Sequence, residues 1–212
     1  MNHSQTLAEI AAEIAVCERC PLHASRRQPV PGEGPAAAEV MFIGDGPGFY
    51  ENEQGRPFVG AAGQFLSQLL AQAELRRSEV WIGHVVKCRP PGNRDPQPAE
   101  LSACGAFLDR QVEAVNPSLV VTLGRCALGH FLPGARIGSI HGQLRQVGAR
   151  YLVPMYPPAD ALKQSALKTL ILADFVRLPD LLKEARAGLG RAVPRPKAQE
   201  IHNDHLKQLS LF

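Results

Sequence analysis

Apolar residues along this chain fall into two rhythms. Short unbroken runs recur at Glu39-Val-Met-Phe-Ile43, Val80-Trp-Ile-Gly-His-Val-Val86, Leu119-Val-Val-Thr-Leu123 and Tyr151-Leu-Val-Pro154, and they predict four strands. Around them the spacing becomes helical. Leu7, Ile10, Ala11 and Ile14 share one face, and Thr6-Leu-Ala-Glu9 has the spacing of a capping box. Phe65, Leu66, Leu69 and Leu70 mark a helix over about residues 61–73, and Leu101, Cys104, Leu108 and Val115 mark another that ends at Pro117. A short helix runs from Gly124 to about Phe131, an apolar helical run follows from about Gln164 to Leu178, and Pro179 opens a further helix. Strands alternating with helices imply parallel pairing with helices on both faces. The expected fold is therefore a three-layer α/β/α arrangement around a central, mostly parallel four-stranded sheet.

In such folds the site forms where loops leave the carboxyl ends of the strands. Asp45–Gly48, Lys87–Pro91 and Tyr156–Asp160 occupy that position and should converge. The 212 residues suffice for one well-buried domain with some chain left over, and the 45% hydrophobic and 20% charged content is that of an ordinary globular protein. A formal charge of +3 is compatible with a polyanionic partner without arguing for one. There is no internal repeat, N-terminal signal pattern or long apolar span, so a cytoplasmic, nucleoid-associated location with no membrane contact is expected.

In that reducing compartment disulfides explain the cysteines poorly. Cys17-Glu-Arg-Cys20 is a tight pair, while Cys88 follows the second strand and Cys104 lies on a helix. Two close thiolates and two distant ones can converge on one centre, and four sulfurs suit either tetrahedral zinc or an iron–sulfur cluster. Spacing alone leaves those two open.

The segments Cys17-Glu-Arg-Cys20-Pro-Leu, Gly44-Asp-Gly-Pro-Gly48, Gln54-Gly-Arg-Pro-Phe-Val-Gly60 and Val85-Val-Lys-Cys-Arg-Pro-Pro-Gly-Asn-Arg-Asp-Pro96, then the Cys104 helix and Leu123-Gly124, stand in the order found in one family. Over about Leu7 to Leu182 the chain resembles the family-4 uracil-DNA glycosylases. The resemblance implies a [4Fe-4S] cluster on Cys17, Cys20, Cys88 and Cys104, leaving Cys126 as a core thiol. It implies a monofunctional hydrolase that cleaves the bond between deoxyribose and a flipped uracil or other deaminated base, which starts base excision repair. It casts Phe58 as the planar wall against the base, and the backbone of Gly46, Pro47 and Gly48 as the shape of the pocket. Asp45 or Glu51 would orient water, and His84 stands at the base-reading position. Lys87 and Arg89 are expected to contact phosphate, and Tyr156, Pro157 and Pro158 to form a loop against single- or double-stranded DNA.

Three departures fall on the chemical positions. Asp45 stands where the family usually carries glutamate, which withdraws the carboxylate by one methylene. His84 replaces an asparagine, and an imidazole cannot present a donor and an acceptor side by side as an amide does. Pro157 replaces the histidine that would donate to the departing base, and it also lacks an N–H. The expectation is a glycosylase with relaxed or shifted base preference; the alternative is a damaged-DNA-binding member with weak or no turnover.

Two parts are expected: residues 1–187 as the glycosylase-like domain with its cluster, and 188–212 as a linker and tail. Gly190-Arg-Ala-Val-Pro-Arg-Pro-Lys197 is basic and poor in large apolar groups. The closing Gln208-Leu-Ser-Leu-Phe212 resembles the pentapeptide that docks on the bacterial sliding clamp, with Gln208, Leu209, Leu211 and Phe212 as its anchors. A monomer is expected.

Overall fold

The computed structural model describes residues 3–190. The expected clamp-binding tail lies outside them.

Five strands form one sheet: β1 (Val40–Gly44), β2 (Trp81–His84), β3 (Leu119–Leu123), β4 (Arg145–Val147) and β5 (Arg150–Met155). Their order is β2-β1-β3-β5-β4, with β4 antiparallel to β5 and every other pairing parallel. The four expected strands are present, and β4 is an addition that corrects the count. It is short, polar and largely exposed, so no apolar run announces it. Charged residues at a sheet edge also discourage pairing with another chain.

The helices among the described residues are α1 (His3–Ala15), α2 (Phe49–Gln54), α3 (Ala61–Gln72), α4 (Pro98–Val115), α5 (Arg125–Phe131), α6 (Ile137–Ile140), α7 (Pro158–Ala161), α8 (Ser165–Val176) and α9 (Leu178–Gly190). None is long and apolar enough to cross a membrane. Thr6 lies inside α1, not at its start. The helix begins earlier, where the His3 ring hydrogen-bonds the Ala114 carbonyl on α4. Glu13 on α1 also pairs with Arg110 on α4 at 2.6 Å. At the other end α9 continues to Gly190, slightly past the expected domain boundary at 187.

Alternation along the strands builds the two cores. Val40, Phe42, Val121 and Val153 pack with α3, α8 and α9 on one face, while Met41, Ile43, Val120 and Leu152 pack with α4 and α5 on the other. β1 and β3 are buried throughout, which is why both read as unbroken apolar runs. A third cluster, with Ile10, Ile14, Leu22 and Phe107, surrounds the cysteines between α1 and α4.

The register brings the strand ends to one level. Gly44 pairs with His84 on one side and Leu123 on the other, and Leu123 pairs with Met155. The loops that follow therefore leave the sheet side by side.

Candidate active site

These loops enclose a cleft of about 360 Å³ lined by Asp45, Glu51, Phe58 and His84, the backbone turn at Gly46–Gly48, and Pro157–Ala159. The first and third segments expected to converge meet here, and Lys87–Pro91 reaches the cleft through Pro90.

β1 ends at Gly44, a position with no room for a side chain. A Cβ there would sit 2.9 Å from both His84 Cδ2 and Phe58 Cζ. Those two rings lie nearly parallel, 9° apart with centroids 4.9 Å from each other. Phe58 is half-buried and adopts φ +50°, a left-handed backbone that turns its ring over the end of the sheet. His84 is buried, and its Nδ1 has no hydrogen-bond partner among the described residues. Burial, with the Lys87 cation adding to it, pushes the imidazole down to about 3. The ring is therefore neutral near pH 7 and carries a single N–H.

Asp45 crosses from the β1 loop to the start of α5. Its Oδ1 accepts the Ala127 N–H at 2.8 Å. Gly124 makes room with φ +127°, since a Cβ there would lie 2.5 Å from the carboxylate. Burial pushes the carboxyl up to about 6, and nearby Asp95 acts in the same direction, against the amides of Ala127 and Cys126. Asp45 thus caps a helix and lines the cleft with one side chain. Glu51 is buried on α2, where its Oε1 accepts the N–H groups of Val59 and Gly60 at 3.1 and 3.2 Å. The Val59–Gly60 backbone holds one oxygen in place, and the other lies beside Gly48.

One expected DNA contact is corrected. Lys87 is buried, with its ammonium donating to the His84 carbonyl at 2.6 Å and to Gln111 Oε1 at 2.7 Å. It braces the end of β2 from inside and cannot reach a phosphate. Tyr156 is half-buried beside the cleft, its ring packed next to His141 at 5.1 Å and against the α3–α8 core. Pro157 and Pro158 do line the cleft, and Arg89 is half-buried near its rim.

Residues missed in the sequence also line the cleft: Asn93, Arg94, Asp95 and Lys163. Glu100 holds Arg94 through bonds of 2.8 and 2.6 Å, and Arg125 pairs with Asp95. The available signal was polar residues in loops that follow strand ends.

Behind β2, Cys17, Cys20, Cys88 and Cys104 line one small cavity. The Lys87 N–H donates to Cys104 Sγ at 3.2 Å, and Arg26 donates to Cys88 Sγ at 3.5 Å. Burial pushes the Cys104 thiol up to about 11 and raises Cys88 as well, so a bound cationic centre would be needed to hold them as thiolates. Four thiols around one cavity fit a cysteine-ligated metal centre. Cys126 is separate from this group and buried, but not as a core thiol: its sulfur lies within 4.8 Å of the Asp45 and Asp95 carboxylates.

The uracil DNA glycosylase superfamily model matches residues 31–176. The type-4 uracil-DNA glycosylase of Thermotoga maritima is 39% identical over 190 residues, covering 87% of this chain and 99% of that protein. The type-4 enzyme of Archaeoglobus fulgidus is 39% identical over 84% of this chain and 94% of its own. A type-5 uracil-DNA glycosylase of Pyrobaculum aerophilum is 30% identical over 76% of this chain and 86% of its own. With a matching family model across most of the fold and relatives of this identity over nearly their full lengths, the chain belongs to the uracil DNA glycosylase superfamily.

Proposed function

We propose that this protein is a monofunctional DNA glycosylase that hydrolyses the N-glycosidic bond of uracil, or another deaminated base, and so starts base excision repair. The observation that carries the reading is the meeting of two carboxylates, an aromatic wall and a neutral imidazole in one open cleft. The target nucleotide must leave the stack, because its anomeric carbon is inaccessible within a duplex. Phe58 receives the base. As the bond breaks, the sugar gains oxocarbenium character, which a carboxylate offsets while orienting water. Asp45 and Glu51 both face the cleft; each is anchored by backbone N–H groups, so neither has to reorganise during the reaction.

His84 acts on the base as a neutral group. Its orphaned Nδ1 is less costly as a bare lone pair than as a buried N–H, which assigns the proton to Nε2. One donor without a matched acceptor favours a carbonyl over an amino group but does not read the full edge of uracil. That supports a preference relaxed across deaminated bases, since deamination replaces an amino group with a carbonyl. Pro157 supplies no donor to the departing base, so His84 carries that role.

We assign Cys17, Cys20, Cys88 and Cys104 to a [4Fe-4S] cluster, supported by their meeting around one cavity, by the N–H groups aimed at two of the sulfurs, and by the likeness to the type-4 enzymes. Bound there, the cluster supplies iron–thiolate bonds that tie the exit of α1 to α4 and the loop after β2; the cysteines are absent from the cleft lining. The segment after Gly190 is proposed to tether the domain to a bacterial sliding clamp through Gln208, Leu209, Leu211 and Phe212.

The test is release of free base from oligonucleotides bearing uracil, hypoxanthine or xanthine, by wild type and His84→Ala. Base release by the wild type and a loss of about 10²-fold or more in the variant are expected. Tight binding of damaged DNA with no release of any base selects the alternative of a binding protein, and an unaffected variant removes His84 from the mechanism.

A further inference from the structure

Two large aromatic side chains stand in solvent beside the cleft. Phe49 is 50% and Tyr50 58% exposed, although they directly follow Gly48 in the cleft lining. Their rings meet edge to face at 5.4 Å. The Arg89 guanidinium lies over Phe49, 5.3 Å from the ring centroid, and its Nε donates to Asn93 Oδ1 at 2.7 Å. Asn93 in turn lines the cleft. Tyr50 packs close to Gly60, and its neighbour Glu51 is anchored by the Val59 and Gly60 amides. The pair therefore projects from a fixed turn.

The core does not require these rings. An exposed aromatic step with a guanidinium against it has the composition of a single-strand nucleic-acid platform: π-faces for bases and a cation for the backbone. We propose that Phe49, Tyr50 and Arg89 form a shelf that stacks the nucleobase adjacent to the one held in the cleft and engages the phosphate between them, on a single DNA strand. This rests on the reading of the cleft as a base-binding site. Extruding a nucleotide strips its neighbour of a stacking partner. In a duplex the opposite strand still holds that neighbour, whereas in a single strand it is free to swing onto the shelf. The consequence is a preference for unpaired DNA, set outside the catalytic cleft.

The test uses the full-length protein and a fluorescent oligonucleotide carrying a 2′-fluorinated uridine that resists cleavage, single-stranded or annealed. Phe49→Ala/Tyr50→Ala is expected to weaken single-strand binding about five- to a hundredfold, with a smaller loss on the duplex. Phe49→Leu, which keeps apolar bulk but not a π-face, is expected to weaken single-strand binding at an unchanged urea midpoint, and Phe49→Trp to retain it. Wild-type affinity in the double variant on both substrates overturns the shelf, and would leave the aromatics to a protein contact; equal losses on both substrates overturn the single-strand preference. Uracil release is measured alongside on a cleavable strand. Release by the wild type with unaltered binding by the variants sinks the shelf alone. Weakened variants alongside a wild type that releases no base sink the glycosylase reading instead.

Discussion

Asp45 is held by demands that pull in opposite directions. Burial favours its neutral form, while the amides at the start of α5 favour the carboxylate. Its pKa is about 6 in the folded protein, against about 3.9 for an unperturbed aspartate. Between those values the folded state binds the extra proton, so this residue's contribution to stability falls as pH rises from about 4 to 6 and stays unfavourable above. Asp45→Asn is therefore expected to raise the melting temperature at pH 7.5 by about 2–6 °C, read by calorimetry. It should also abolish the part of the activity profile that rises through pH 6. A lower melting temperature would show that the contacts to α5 outweigh the burial cost. His84 has the reverse sign: its folded pKa is lowered, so its cost appears as pH falls below about 6.5. At this scale the sequence revealed some of the residues that line the cleft, Asp45, Glu51, Phe58 and His84 among them, but not their state. The left-handed Phe58, its stack on His84 and the anchoring of Asp45 all depend on residues distant in the chain.

At the scale of elements, legibility followed burial. β1, β3 and β5 lie between two helical layers and read plainly as apolar runs. β4 faces solvent at the edge, and α2 is a turn and a half set by the loop after β1, so neither carries a periodic signal. Lys87 shows the same limit from the other side. A lysine after a strand resembles a phosphate contact, and only the packing of Gln111 from α4 shows that it points inward. Lys87→Met is expected to destabilise the fold by about 1–3 kcal/mol, because two buried carbonyl oxygens lose their donor. The salt dependence of DNA binding should not change. A shallower slope by about one unit would mean that Lys87 does meet a phosphate.

For the whole molecule, the family was legible because its motifs sit at the carboxyl ends of the strands, where register brings separate loops together. The departures at Asp45, His84 and Pro157 were equally visible, since each changes a functional group in that cleft. Deleting Gln208–Phe212 should eliminate clamp binding in a pull-down with purified sliding clamp while leaving base release on short oligonucleotides intact. Unchanged clamp binding would refute the tether.

The cleft itself is tested most directly by the single-turnover rate of uracil release from a single-stranded oligonucleotide, compared among wild type, Asp45→Asn and Glu51→Gln. Measurable release by the wild type and a fall of about 10²-fold or more in at least one variant are expected if a carboxylate there orients the water. Equal rates in all three proteins would place the chemistry elsewhere and contradict the account.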